Sequence, residues 1–504
     1  MSMKRRFTGF LCGTMAAVLL AGTLPVFAET EAAAESQAVT EMGTADIKLY
    51  EDLNYLVSAD GTVTITNCMQ SAVTCVVPEE IDGCPVTSIA ADAFAECYFL
   101  EELVLPDTVT TIQRQAFSAC SALESVTLPK RLETLAAGAF DGCSALKEVI
   151  VPAGITELPQ ATFYECTALE KVTLPEGLEI IGSEAFYNCT SLKELVLPES
   201  TTTLSDYAFQ GCAALTDITL PENVAYLGQY IFQDCKGLTA IEVDEANTVF
   251  CDKDGVLFTE DGVTLVRYPE AAPATEYRIP DGCTQAANGS FVDAVNLTTV
   301  DFNQAVLYGQ DAFFRCSGLT EIILPEGVTD IATTAFAYCT ALEKVTLPST
   351  LKYIGDYAFY TCIALKEITI PEGAEVLGAY SFFNCMELKK LHLPDSITEI
   401  GDGAMGYYAE SEDTEPQKVA DFTVEYNSNQ VIHDYVEQYG LTGSGSGTSH
   451  WWIWLLAIGG GVLVIGGIVL IVILRRRAYI PKPVPGGRQG SAAKRSDPKK
   501  KGKS

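Results

Sequence analysis

Ala185-Phe186-Tyr187-Asn188-Cys189-Thr190-Ser191-Leu192-Lys193-Glu194-Leu195-Val196-Leu197-Pro198 decides the fold, because shifting the frame by 23 residues in either direction restores its skeleton. The phenylalanine recurs as Phe94, Phe117, Phe140, Phe163, Phe186, Phe209 and Phe232, and again as Phe313, Phe336, Phe359 and Phe382. Three residues after each stands a cysteine: Cys97, Cys120, Cys143, Cys166, Cys189, Cys212, Cys235, Cys316, Cys339, Cys362 and Cys385. Three residues further on there is always a leucine. A fixed period of this size marks a repeat architecture, in which one unit cannot bury its own apolar face and gains stability only by stacking.

Within the unit, two aliphatic positions after the leucine alternate with polar or small ones, as in Leu103/Leu105, Val126/Leu128, Leu195/Leu197 and Val345/Leu347. Period-two alternation predicts a strand buried on one face. A proline then ends it, at Pro106, Pro129, Pro152, Pro175 and Pro198 among others, because proline cannot donate to a ladder hydrogen bond. Ala-Phe-x-x-Cys is too short for a free helix and is expected to form a single helical turn on the opposite side of the coil. The expectation is therefore an α/β-type leucine-rich repeat solenoid, a parallel strand ladder with short helical turns.

The unit resembles the BspA-like leucine-rich repeat of the Treponema pallidum type, whose consensus carries the same Ala-Phe-x-x-Cys-x-x-Leu and Leu-Pro steps. The resemblance covers residues 50–441. It implies a bacterial secreted or cell-surface protein acting as an adhesin or binding scaffold, with an extracellular protein or polysaccharide as partner.

Taken in order, residues 1–28 read as a secretory signal peptide: Lys4-Arg5-Arg6, an apolar run, then Val26-Phe27-Ala28. Residues 29–49 form an acidic spacer and residues 50–93 an N-terminal cap. Repeats fill 94–243, and 244–290 reads as a hairpin insertion, since Phe232 and the next key residue, Phe291, are 59 residues apart. Repeats resume over 291–404, with Ala294 in a cysteine place and Met405 in a phenylalanine place. Residues 405–441 read as a C-terminal cap with a short amphipathic helix from Asn429 to Tyr439. A linker over 442–450 leads to 451–474, which has no charged residue and is long enough for a transmembrane helix. Arg475-Arg476-Arg477 beyond it predicts a basic cytoplasmic tail over 475–504. The expectation is a single-pass cell-membrane protein with an extracellular N-terminal ectodomain, which leaves a single-pass receptor or a nutrient-capture protein as alternatives.

Net charge is −34, and residues 29–474 carry 18 basic against 65 acidic side chains. Such a surface argues against nucleic acid as a partner. Histidine is confined to His392, His433 and His450, without metal-ligand spacing, and no nucleophile elbow or phosphate loop is present. Asp252-x-Asp254-Gly255 resembles the start of a calcium loop but lacks its twelfth-position glutamate, so it reads as a turn. No enzyme, cofactor or metal is expected. The eleven ladder cysteines read as buried free thiols serving as small hydrophobes, whereas Cys68, Cys75, Cys84, Cys251 and Cys283 lie off the ladder and leave a Cys68–Cys75 link open.

What remains is the exposed face of the strand ladder, one column charged and the other β-branched. Its candidate ligand-binding residues are Lys171, Thr173, Glu194, Val196, Asp217, Thr219, Lys344, Thr346, Glu367 and Thr369. Strand propensity alone would also produce such a column, but the concave face of a solenoid is its usual binding surface.

Overall fold

A computed structural model describes residues 47–409 and 414–445. Each regular coil has three sides. On the first lie three-residue strands, Glu102–Val104, Ser125–Thr127, Glu148–Ile150 and Lys171–Thr173, each exposed, buried, exposed. They stack in parallel with every residue opposite its repeat mate, as Val149 faces Val172. After the proline turn the chain forms a second parallel ladder of two-residue strands, including Thr111–Ile112, Thr134–Leu135, Glu157–Leu158, Ile180–Ile181, Thr203–Leu204 and Tyr226–Leu227. In most of these strands the second residue, such as Ile181 or Leu204, is the buried one.

The third side corrects the expected fold class. Ala-Phe-x-x-Cys forms no helical turn. The Phe94, Phe117 and Phe163 N–H groups donate to the Ala116, Ala139 and Ala185 carbonyls of the next coil at 2.8–2.9 Å. The residues two before and two after each phenylalanine adopt positive φ, as in Asp92/Glu96, Glu184/Asn188 and Thr334/Tyr338. This turns alternate N–H groups along the stacking axis, where the neighbouring coil satisfies them, whereas a helical turn would aim them back into their own coil. The left-handed conformation is costly for non-glycine residues, and the row of intercoil bonds offsets it. The architecture is a β-solenoid with hydrogen-bonded rows on all three sides, not an α/β-type one.

Between the sides the phenylalanines form a continuous stack, with ring centroids 5.2–5.8 Å apart from Phe94 to Phe232. Beneath them each thiol has a defined partner. Cys120 Sγ donates to the Phe94 carbonyl at 3.1 Å and Cys189 to the Phe163 carbonyl at 3.1 Å, and the same bond recurs down to Cys385 on Phe359. Among the described residues the cysteines are free, those of the ladder buried, and burial pushes thiols such as Cys166 and Cys212 well up in pKa.

Only part of the interruption after the seventh coil is a hairpin. Phe250–Lys253 and Val256–Thr259 pair antiparallel, and Thr264–Arg267 pairs antiparallel with the latter before joining Gln285–Ala286 in parallel. From Tyr268 onward the chain is a degenerate coil. Tyr268 stacks on Phe291 at 5.2 Å, Glu276–Arg278 supplies its first-ladder strand, and Cys283 is buried in an aliphatic slot.

Both ends are closed. At the start, Leu53–Val57 pairs antiparallel with Val63–Cys68, which meets Cys84–Ile89, while Thr74–Val76 opens the first ladder against Glu102–Val104. At the other end Thr423–Tyr426 extends the first ladder beside Lys390–His392. The helix Gln430–Tyr439 follows, with the Asn429 side chain accepting from the Val431 and Ile432 N–H groups. It buries Ile432, Tyr435, Val436 and Tyr439. Its Tyr439 and Tyr435 hydroxyls accept from the Gly403 and Met405 N–H groups, which would otherwise end the third row unpaired.

The single-pass placement needs a second correction. The helix present among the described residues has ten residues, about 15 Å of rise against a hydrocarbon core of about 30 Å, and its apolar face is spent on the last coil. No helix among the described residues is long and apolar enough to cross a membrane. The expected transmembrane helix over 451–474, the signal peptide over 1–28 and the tail over 475–504 lie outside the described residues, and the structure gives the single-pass arrangement no support.

Candidate functional site

All ten residues singled out from the sequence are exposed on the first ladder, and the fold divides them into two groups. Lys171 and Thr173 sit on the last strand of one five-stranded sheet, and Lys171 bridges to Glu194. Asp217 and Thr219 belong to a separate two-stranded sheet, Asp217–Leu220 with Ala240–Val243. Lys344, Thr346 and Glu367 share the corresponding sheet beyond the insertion, and Thr369 bridges to His392. The two groups lie on either side of the interruption.

Charge on this face is paired from coil to coil. Lys147 reaches Glu124 at 2.6 Å, Lys193 reaches Glu170 at 2.7 Å, Lys344 reaches Glu321 at 2.7 Å and Lys366 reaches Glu343 at 2.7 Å. The Lys193 ammonium holds the Glu170 carboxyl below its ordinary range, and Glu321 raises Lys344. These pairs are solvent-exposed, so each contributes little stability and mainly fixes register. The β-branched column beside them is different: Val76, Ile150, Val196 and Ile323 are 65%, 70%, 83% and 57% exposed.

Two clefts break the regular face, and sequence reading missed both. From Glu194 to Leu197 the chain forms a single bridge in place of a strand, so the ladder opens between this coil and the next. A cleft of about 290 Å³ results, lined by Val196, Glu194, Asp217, Thr219, Glu199 and Asp244. Beyond the insertion, Thr299–Asp301 meets the next strand only at Glu321. There a cleft of about 400 Å³ lies among Asp301, Phe302, Asn303, Glu321 and Ile323. The first cleft unites four of the predicted residues. Every charged residue in its lining is acidic, and Val196 stands among them, a lining that suits a ligand presenting cationic and aliphatic groups together.

A third cleft, of about 240 Å³, opens at the interruption itself, among Leu227, Tyr230, Phe232, Leu257, Arg267 and Asn288. Arg267 is 7% exposed and donates to the Phe232 carbonyl, the Gly289 carbonyl and Glu270. In the regular coils a thiol from the next coil bonds the phenylalanine carbonyl, as Cys235 bonds that of Phe209; here that place holds Ala271, and the guanidinium takes over. Burial pushes Glu270 up to about 8 despite Arg267. Arg315 pairs with Asp293 and Asp234, and the Tyr230 hydroxyl crosses over Gly289 to reach Asp311 at 2.7 Å. Gly289 leaves room for that crossing, since a Cβ would stand 3.1 Å from the Tyr230 ring. These side chains are committed to holding the junction. Among the described residues no group of three or more His, Cys, Asp or Glu is arranged to hold a metal ion.

Comparison with known proteins agrees with this architecture. The family model described as a BspA type leucine rich repeat region matches in six copies over residues 87–212, 156–253 and 284–412. A leucine rich cell surface protein from Faecalibacterium prausnitzii has a similar solved structure, with 26% identity and a TM-score of 0.57, covering 73% of this chain and 96% of that one. A leucine-rich repeat protein from Bacteroides ovatus is similar at 26% identity and a TM-score of 0.55, covering 79% of this chain and 99% of that one. No curated protein sequence gives a significant match.

Proposed function

The chain belongs to the BspA-type leucine-rich repeat family, and from that premise we propose that it is an adhesin-like binding scaffold holding an extracellular protein through the exposed side of its first ladder. The observation that carries this reading is the Val196 cleft. An almost fully exposed aliphatic side chain stands where the ladder opens, ringed by Glu194, Glu199, Asp217 and Asp244. Strand propensity accounts for exposed β-branched residues in paired strands such as Glu148–Ile150, but Val196 lies outside any strand, and a partner burying it would gain roughly 1.5–3 kcal/mol. The acidic rim and the net charge of −34 favour a basic protein surface over an anionic polysaccharide. The description of the F. prausnitzii relative as a cell surface protein supports an extracellular setting.

The test is a screen of the full chain against extracellular matrix proteins and neutral and acidic glycans, followed by the pair Ile150→Asp and Val196→Asp. Val196→Asp should weaken binding to the captured protein at least tenfold, and added salt should weaken it in the wild type. Unchanged affinity in both variants, or capture of glycans alone, would overturn the reading.

A further inference from the structure

We propose that the cleft at the interruption binds a small aliphatic carboxylate, with the Arg267 guanidinium and the Tyr230 N–H as its donors. The cleft originates in a deletion inside one coil. In a regular coil the second-ladder strand ends five residues before the phenylalanine, as Leu204 does before Phe209 and Ala286 before Phe291. Leu265 pairs with Ala286, and Tyr268 stacks on Phe291, yet Leu265 precedes Tyr268 by only three residues. The Tyr268 coil is therefore two residues short on its third side. There the cleft of about 240 Å³ opens, between residues 227–232 of the coil before and 287–289 of the coil after.

The deletion leaves donors without acceptors. One coil earlier the Tyr207 N–H donates to the Gln229 carbonyl at 3.0 Å. Tyr230 holds the place of Tyr207, and the carbonyl due to it, that of Leu265, accepts the Ala287 N–H instead at 2.9 Å. Among the described residues no carbonyl takes the Tyr230 N–H. The second orphan belongs to Arg267, which is 7% exposed and lines the cleft. Its terminal nitrogens bond the Gly289 and Phe232 carbonyls and Glu270, whereas its Nε–H is buried without a partner. Buried polar groups are nearly always hydrogen-bonded in folded proteins. Both orphans are donors, so a ligand that answers them must bring acceptors.

The rest of the lining fixes the kind of ligand. Among the described residues that line the cleft, Arg267 alone is charged, in a chain of net charge −34. Nearby Asp234 and Asp293 are paired with Arg315. Burial pushes Glu270 up to about 8, so near neutral pH its carboxyl holds a proton and leaves the guanidinium charge unanswered. An anionic oxygen makes the stronger, charge-assisted bond to such a donor. Leu227, Ile231, Leu257 and Val266 supply aliphatic walls, which disfavour a fully polar anion and match a short hydrocarbon tail. The chemistry is a carboxylate on a small aliphatic group, carried by a free acid or by the C-terminal residue of a peptide. The cleft lies on the third side of the coil, and its role does not depend on the one proposed for the first ladder.

The experiment is isothermal titration calorimetry of the full chain with butyrate and with N-acetyl-alanyl-leucine, each against its amide. At least one carboxylate should bind with a millimolar or tighter Kd, and its amide about tenfold more weakly or worse. Butyrate binding identifies a free acid as a source, and binding of the acetylated dipeptide identifies a peptide end. Arg267→Lys keeps the charge but loses the Nε–H, and Leu227→Trp fills the cleft from the opposite wall. Each should lower affinity about tenfold or more. In the wild type the bound carboxylate should slow hydrogen exchange at the Tyr230 amide, a readout that stands even where a variant loses its native circular dichroism. No binding of either carboxylate, equal binding of acid and amide, an unprotected Tyr230 amide, or undiminished affinity in a natively folded Leu227→Trp would each overturn the proposal.

Discussion

Replacing Cys189 tests whether the cysteine column is there for its shape or for its hydrogen bond. The residue is fully enclosed, and its thiol donates to the Phe163 carbonyl at 3.1 Å; that carbonyl also accepts the Cys166 N–H at 3.2 Å. Cys189→Ala removes the buried sulfur, at about 1 kcal/mol of lost transfer energy. The void between two stacked coils that cannot collapse adds about 1 kcal/mol, and the missing weak bond adds about 0.5 kcal/mol. The expected destabilisation is about 2–3 kcal/mol. Cys189→Ser acts differently. Sequence alone implies a buried hydroxyl without a partner and a cost of about 1–3 kcal/mol, but the structure places the Phe163 carbonyl where that hydroxyl can donate. The serine variant should therefore lose only about 1 kcal/mol, mostly in apolar burial. Urea unfolding followed by circular dichroism gives the order of the three midpoints. Hydrogen exchange at the Phe186 coil locates the loss, since repeat arrays open in parts. A serine variant at least as unstable as the alanine one would refute the bonding role and leave the column as packing alone.

The C-terminal cap and the junction offer two sharper perturbations. Tyr435→Phe together with Tyr439→Phe leaves the Gly403 and Met405 N–H groups without their acceptors, and each orphaned donor should cost about 1–3 kcal/mol. Faster exchange of those two amides, with the Phe94 coil unchanged, is the expected readout. Glu270 carries a pH signature: its folded pKa of about 8 lies above the ordinary 4.5 because burial disfavours the carboxylate beside Asp293 and Asp234, in spite of Arg267. Below pH 4.5 both states hold the proton; from there to about 8 only the folded state does. Its contribution to stability should fall as pH rises through that window, and Glu270→Gln should remove that part of the slope between pH 5 and pH 8. An unchanged slope would place Glu270 as an ordinary ion-pair partner.

How far the fold was legible depended on what repetition leaves in the chain. The first ladder was readable because Leu195 and Leu197 must both face inward while Val196 faces out, and eleven coils repeat that alternation. The second ladder was not, since a two-residue strand such as Thr203–Leu204 is too short to alternate. Nor was the third side. Asp92, Gln115, Ala119, Tyr207 and Thr334 share positive φ but no chemistry, so their conformation is imposed by bonds to the next coil rather than by side-chain type. The coil begun by Tyr268 escaped because it lacks both the phenylalanine and the cysteine of the period. What the sequence keeps of this coil is the Tyr277-Arg278-Ile279-Pro280 step, an alternation ended by proline as in the regular units.

The same reasoning bears on where recognition resides. In a regular stretch the exposed β-branched position recurs from coil to coil, as Val104, Thr127, Ile150 and Thr173, and charge is answered by a neighbour, as Lys147 answers Glu124. Such a surface offers a ligand many equivalent registers and cannot fix one. A single register needs a feature that occurs once. The first ladder supplies two: the opening at Glu194–Leu197 with its acidic rim, and the opening at residues 299–303 with Phe302 and Asn303 at its floor. Both arise where coil-to-coil pairing is given up, which costs stability that repetition alone would have kept. The periodic part of the chain accordingly builds a rigid support. Under the proposed function, the departures from its period, invisible to a reading that depends on the period, would be the positions that select a partner.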